Sequence, residues 1–117
     1  MATVLIVEDE VDYRDPLVKR LEQEGYTVLC AEDGAGAIEL IKNNTVDIIL
    51  LDLILPRMDG VEFLFILKNE LKSEAPVIIL SNLDSTAHNS EVAEYLVKAN
   101  TTMEELVNKI ATYLPHK

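Results

Sequence analysis

The chain has 117 residues, enough for one domain spanning 1–117 and too few for two. Its 21 acids against 10 bases give a formal charge of −11 and a pI near 4.4, which argues against direct nucleic-acid or membrane-surface binding. With 49% apolar residues and the single cysteine Cys30 it fills a core without disulfides, and this fits a reducing, cytoplasmic setting.

Two apolar patterns alternate along the chain. Thr3–Val7, Tyr26–Ala31, Val46–Leu51, Val77–Leu80 and Ala93–Val97 are short runs, most of them rich in β-branched residues, and they predict strands. The longest unbroken apolar stretch is four residues, as in Ile48 to Leu51, far short of a membrane span. Helical spacing fills the intervals. Leu17 and Leu21 share a face in the first helix, which Gly25 stops. Pro16 should delay or bend that helix. Ile38 and Ile41 mark the second, ending at Asn43-Asn44. Val61, Leu64, Phe65 and Leu67 mark the third. Met103, Leu106, Ile110 and Leu114 mark the last, with Thr101 or Thr102 as N-cap. Between Asn82 and Val92 polar residues dominate, so a fourth helix there must be short or irregular.

Strands alternating with helices imply an α/β fold with parallel strands and helices on both sheet faces. A closed barrel needs roughly twice the chain. The expectation is an open, doubly wound, flavodoxin-like sheet of five strands in the order 2-1-3-4-5.

Polar residues that end apolar runs carry the function. Glu8-Asp9 ends the first strand, Asp52 the third, Ser81 the fourth and Lys98 the fifth. In this strand order those ends are neighbours, at the edge where open α/β sheets bind ligands. Crowded carboxylates with room for water suit Mg²⁺. A metal, a lysine and a hydroxyl around one carboxylate make a receptor for a phosphoryl group.

The stretches Val4-Leu5-Ile6-Val7-Glu8-Asp9-Glu10, Ala31-Glu32-Asp33-Gly34 and Asp52-Leu53-Ile54-Leu55-Pro56-Arg57-Met58-Asp59-Gly60, with Ser81 and Glu94-Tyr95-Leu96-Val97-Lys98, resemble the receiver domain of two-component response regulators. The resemblance implies a phosphoacceptor at Asp52, fed by a histidine kinase or phosphotransfer protein. It implies Mg²⁺ held directly by Asp9, Asp52 and the backbone carbonyl of Ile54, with Glu8 acting through water. It assigns Ser81 and Lys98 to phosphoryl oxygens and Tyr95 to an aromatic switch. Such a chain is a self-phosphorylating and self-dephosphorylating acceptor, not a turnover enzyme. Its output is expected to go through a protein partner or a homodimer, since no effector segment follows Leu114. A phosphorylation-independent adaptor is the alternative. A haloacid-dehalogenase-type phosphohydrolase is a weaker one, because it wants an acid where Ile54 stands.

Two departures from the family pattern carry expectations. Ala99 stands where proline after a cis bond is usual, so the Lys98–Ala99 bond should be trans, with Lys98 reaching by side-chain extension and its resting pairing weakened. Asn82, with Ile54 and Leu83, should restrict the attacking water and prolong the phosphoryl group. Elsewhere, Cys30 is assigned to the core, Met58 to packing under its loop, and His88 and His116 to solvent.

Overall fold

The computed structural model describes residues 2–53, 60–81 and 92–114. Five strands, β1 (Thr3–Val7), β2 (Thr27–Ala31), β3 (Ile48–Leu51), β4 (Val77–Ser81) and β5 (Glu94–Val97), form one sheet in the order β2-β1-β3-β4-β5. Every pairing is parallel. The expected strand order is therefore the observed one, and the strands start within two residues of the predicted positions.

Period-two alternation divides the buried side chains between two faces. Val4, Ile6, Ile48, Leu50, Ile78 and Leu80 pack on one side with Leu17 and Leu21 of α1 (Val11–Gln23) and Leu106 and Ile110 of α4 (Met103–Tyr113). Leu5, Val7, Ile49, Leu51, Val77 and Ile79 pack on the other with Ala37 of α2 (Gly34–Asn43) and Phe63, Leu64 and Leu67 in and beyond α3 (Gly60–Phe65). Strands β1, β3 and β4 are apolar along almost their whole length because both of their faces are covered.

The helix ends follow local chemistry. Gly25, at φ +96°, adopts the left-handed conformation that ends α1. Its N–H donates to Glu22 while that of Tyr26 reaches back to Leu21. α1 starts at Val11 and runs through Pro16 instead of starting late. Pro16 lies on the exposed face, where water can take up the carbonyl that loses its donor. Asp33 caps α2 by accepting from the Gly36 N–H at 2.8 Å. Thr102, one of the two expected caps, closes α4 in a capping box with Glu105.

Two side-chain expectations fail. Phe65 is 60% exposed whereas Phe63 is fully buried; a 3.6-residue period puts 63, 64 and 67 on one face and turns 65 away. After Phe65 the helix widens into a π-helical turn over Ile66–Glu70. Cys30 is exposed, not in the core, because β2 is an edge strand whose covering is incomplete. The short fourth helix and the side chains of Met58, Asn82, Leu83, His88 and His116 fall outside the described residues.

Candidate functional site: strand-end carboxylates around a buried lysine

The carboxyl ends of β1, β3, β4 and β5 carry the four buried polar or charged residues of the described chain: Glu8, Asp52, Ser81 and Lys98. Backbone bonds fix two of them. The Glu8 N–H donates to the Ala31 carbonyl and the Asp52 N–H to the Val7 carbonyl, so both side chains leave the sheet at its rim. Ser81 is the last residue of β4, in register with Val97 and fully buried. Lys98 follows β5 directly and opens a 3₁₀ turn, Lys98–Asn100.

Lys98 is the hub. Its Nζ lies 3.1 Å from Asp52 Oδ2 and 2.8 Å from Glu10 Oε1, and it is ion-paired with Glu8. The Tyr13 ring covers the same ammonium, with its centroid 4.5 Å away. Only 5% of the Lys98 side chain is exposed, against 55% for Glu10. No peptide bond among the described residues is cis, so the Lys98–Ala99 bond is trans as expected. The expected weakening of its pairing is not seen: extension of the side chain brings it to three carboxylates.

Charge and burial set the titration behaviour. Burial raises the Glu8 carboxyl above its ordinary 4.5, and hydrogen bonds from Lys98 and the Glu10 backbone only partly oppose it. Burial alone would lower Lys98, but its bonds to Glu10, Glu8 and Asp52 outweigh that and raise it above 10.5. Desolvation also raises the Tyr13 phenol. Lys98 therefore stays an ammonium throughout the physiological range.

Glu8, Glu10 and Asp52 each offer one carboxylate oxygen, all within 4.8 Å of one another. Three carboxylates against one ammonium leave two negative charges, matching a divalent ion. Hard oxygen donors of this number suit Mg²⁺, which keeps several waters. Asp9 is exposed and stands outside this group. Tyr95 is half-buried and packs against the α2–α3 side of the core. Ile54 lies outside the described residues.

The sequence does not single out Glu10, although it sits in the acidic run Glu8-Asp9-Glu10. Its signal is positional. It is the N-cap residue of α1, in extended conformation, and so belongs to the turn that rises over the strand ends. Arg14, which the sequence also leaves without a role, donates from Nη1 to the Glu8 carbonyl at 3.3 Å and tethers the same turn.

Comparison with known proteins agrees with this arrangement. The chain is 32% identical over 116 residues to the response regulator MprA of Mycobacterium sp. (strain KMS), covering 95% of this chain and 50% of that protein. The chain thus spans about half the length of the curated relatives it matches. The Francisella response regulator 1452 receiver domain superposes with a TM-score of 0.87 at 31% identity, covering 97% of this chain and 96% of that one. The Thermotoga maritima response regulator TrrA, in complex with Mg²⁺–BeF, superposes with a TM-score of 0.85 at 28% identity, covering 97% and 100%. Residues 4–111 match the response regulator receiver domain family. With an open five-stranded parallel sheet and an acid-and-lysine rim at its carboxyl edge, the chain belongs to that family.

Proposed function

We propose that Asp52 accepts a phosphoryl group from the phosphohistidine of a histidine kinase or phosphotransfer protein. One observation carries the assignment: Asp52 is a nearly buried carboxylate, and the Lys98 ammonium rests on its Oδ2. In the transfer an Asp52 oxygen bonds to phosphorus as the P–N bond of the phosphohistidine breaks. An acyl phosphate forms and the imidazole leaves with the bonding pair. Lys98 and the Ser81 hydroxyl take the phosphoryl oxygens and offset the added charge.

Asp9 and Asp52 would hold Mg²⁺ directly, with Glu8 acting through water and the Ile54 carbonyl completing the protein ligands. When bound, the ion lowers the repulsion between the incoming phosphoryl group and the carboxylates. The TrrA complex with Mg²⁺–BeF, a relative of the same fold, supports this reading. Tyr95 is the proposed switch residue, turning inward as the Ser81 hydroxyl moves toward phosphate. Output then passes through an altered protein-binding surface to a partner protein or a second copy of the chain, with no direct contact to nucleic acid. The chain works as an acceptor that is consumed and reset, not as a turnover enzyme. It acts in the cytoplasm, where the kinase meets ATP. Among the described residues no helix is long and apolar enough to cross a membrane.

Intact-mass analysis after treatment with a small phosphodonor tests the assignment. The expected result is one base-labile phosphoryl group, formed with Mg²⁺ and lost in Asp52→Asn. A full adduct in Asp52→Asn would overturn it.

A further inference from the structure

The start of α1 makes two contacts to one atom that no phosphoacceptor role explains. Glu10 Oε1 lies 2.8 Å from Lys98 Nζ, and the Tyr13 ring faces the same nitrogen at 4.5 Å. Glu10 is the N-cap of α1 and Tyr13 lies in its first turn, so both project from the start of that helix. They differ in kind from the other partners of Lys98. Glu8 and Asp52 are buried acids at strand ends, with side chains 4% and 7% exposed. Glu10 reaches the ammonium from the solvent side, and Tyr13 comes from the α1 side of the core.

We propose that Glu10 and Tyr13 form a seat that keeps Lys98 beside Asp52 when a divalent cation enters the site. A cation held by Asp9 and Asp52, with Glu8 acting through water, would draw the Asp52 and Glu8 oxygens that Lys98 now shares, and its charge would repel the ammonium. Glu10 and the ring face then remain as attractive partners, and the Lys98 chain keeps its direction toward the phosphoryl group. Although Glu10 lies within reach of an ion shared with Glu8 and Asp52, the seat makes it a positioning residue and not a ligand, and Tyr13 is a positioning residue too. The need for such a seat follows from the backbone, since Lys98 leaves β5 straight into a one-turn 3₁₀ segment whose next residues, Ala99 and Asn100, are exposed. This inference rests on the proposed role of Asp52 as acceptor.

The test uses the full chain and its Glu10→Gln, Tyr13→Leu, Tyr13→Phe and Lys98→Ala variants. Mg²⁺ affinity is read by calorimetry, phosphorylation rate with acetyl phosphate, and the Lys98 ammonium by ¹H–¹⁵N NMR in saturating Mg²⁺. Glu10→Gln should slow phosphorylation about tenfold, the scale of one hydrogen bond to a charged group, and remove the protected ammonium signal. Its Mg²⁺ affinity should stay within about threefold, because the charge lost is not a ligand. Tyr13→Leu should slow the reaction about threefold and Tyr13→Phe should not, since the ring and not the hydroxyl faces the nitrogen. In the Lys98→Ala background Glu10→Gln should have no further effect.

A tenfold or greater loss of Mg²⁺ affinity in Glu10→Gln would make Glu10 a ligand and overturn the seat. Independent, multiplying effects of Glu10→Gln and Lys98→Ala would overturn it as well, as would faster phosphorylation in Glu10→Gln. If the unaltered chain takes up no phosphoryl group, the acceptor role fails instead, and the ammonium signal still decides whether Glu10 holds Lys98.

Discussion

The Tyr113 hydroxyl donates to Glu94 Oε2 at 2.6 Å, joining the last turn of α4 to the first residue of β5. The same hydroxyl lies 3.1 Å from the Ala93 carbonyl, and Lys109 Nζ stands 3.5 Å from the other Glu94 oxygen. The helix is thus tied to the edge strand that delivers Lys98.

Tyr113→Phe removes the tie while keeping the ring. It should lower unfolding stability by about 1 kcal/mol, the usual net value of one such bond. The bond to Glu94 raises the Tyr113 phenol above its ordinary 10. A group whose folded value is raised stabilises fully below the unfolded value and less as pH rises through the folded one. Stability of the unaltered chain should therefore fall more steeply above pH 10 than that of Tyr113→Phe, as measured by urea unfolding.

The capping box of α4 gives a prediction of opposite sign. The Thr102 hydroxyl accepts from the Glu105 N–H at 3.1 Å, and the Glu105 carboxylate accepts from the Thr102 N–H at 3.0 Å. Thr102→Ala should cost about 1 kcal/mol. The backbone bond from Thr102 lowers Glu105 below 4.5. Its contribution is present above 4.5 and is lost as pH falls through the folded value. Thermal melts of Glu105→Gln and the unaltered chain should converge on acidification; a constant difference would count against the box.

Legibility divided along physical lines. The sheet order could be read because β1, β3 and β4 are buried on both faces, so their apolar runs have no polar interruptions. Glu8, Asp52, Ser81 and Lys98 could be read because polar residues at the ends of such runs have few places to go. Cys30 could not, since an edge strand has the composition of an inner one without its covering. Glu10 escapes for a different reason: its partner is 88 residues away, and nothing local marks an exposed N-cap acid as the partner of a buried lysine. Phe65 misleads because its four-residue spacing from Val61 mimics a shared face, whereas the buried face is the one that Phe63, Leu64 and Leu67 define.

In the core, Leu50 lies on the central strand β3 and is 1% exposed. Leu50→Ala should cost about 3 kcal/mol, since close-packed neighbours on β1 and β4 cannot collapse into the space. Denaturant midpoints would show it, with an unchanged slope.

Lys98→Met tests what holds the acidic rim together. Without the ammonium, Glu8, Glu10 and Asp52 face one another across less than 4.8 Å. The variant should lose about 2 kcal/mol in the absence of divalent ions. Adding Asp52→Asn to it should restore part of that loss, because one of the repelling charges is gone. Urea unfolding in a chelating buffer measures both, and no recovery in the double variant would show that Lys98 acts mainly through packing.

The reach of Lys98 has a mechanical meaning. Glu8 leaves β1 and Lys98 leaves β5, three strand spacings apart, or roughly 14 Å at the usual separation. Their ion pair spans β3 and β4 at the rim, much as a tie rod spans an arch. Below it the strands are joined by a backbone ladder and aliphatic packing that no change of charge alters. Above it the outermost strand is fastened to the middle of the sheet by electrostatics. Adding or removing charge at Asp52 therefore loads or slackens that fastening, and the border of the molecule feels an event at its centre.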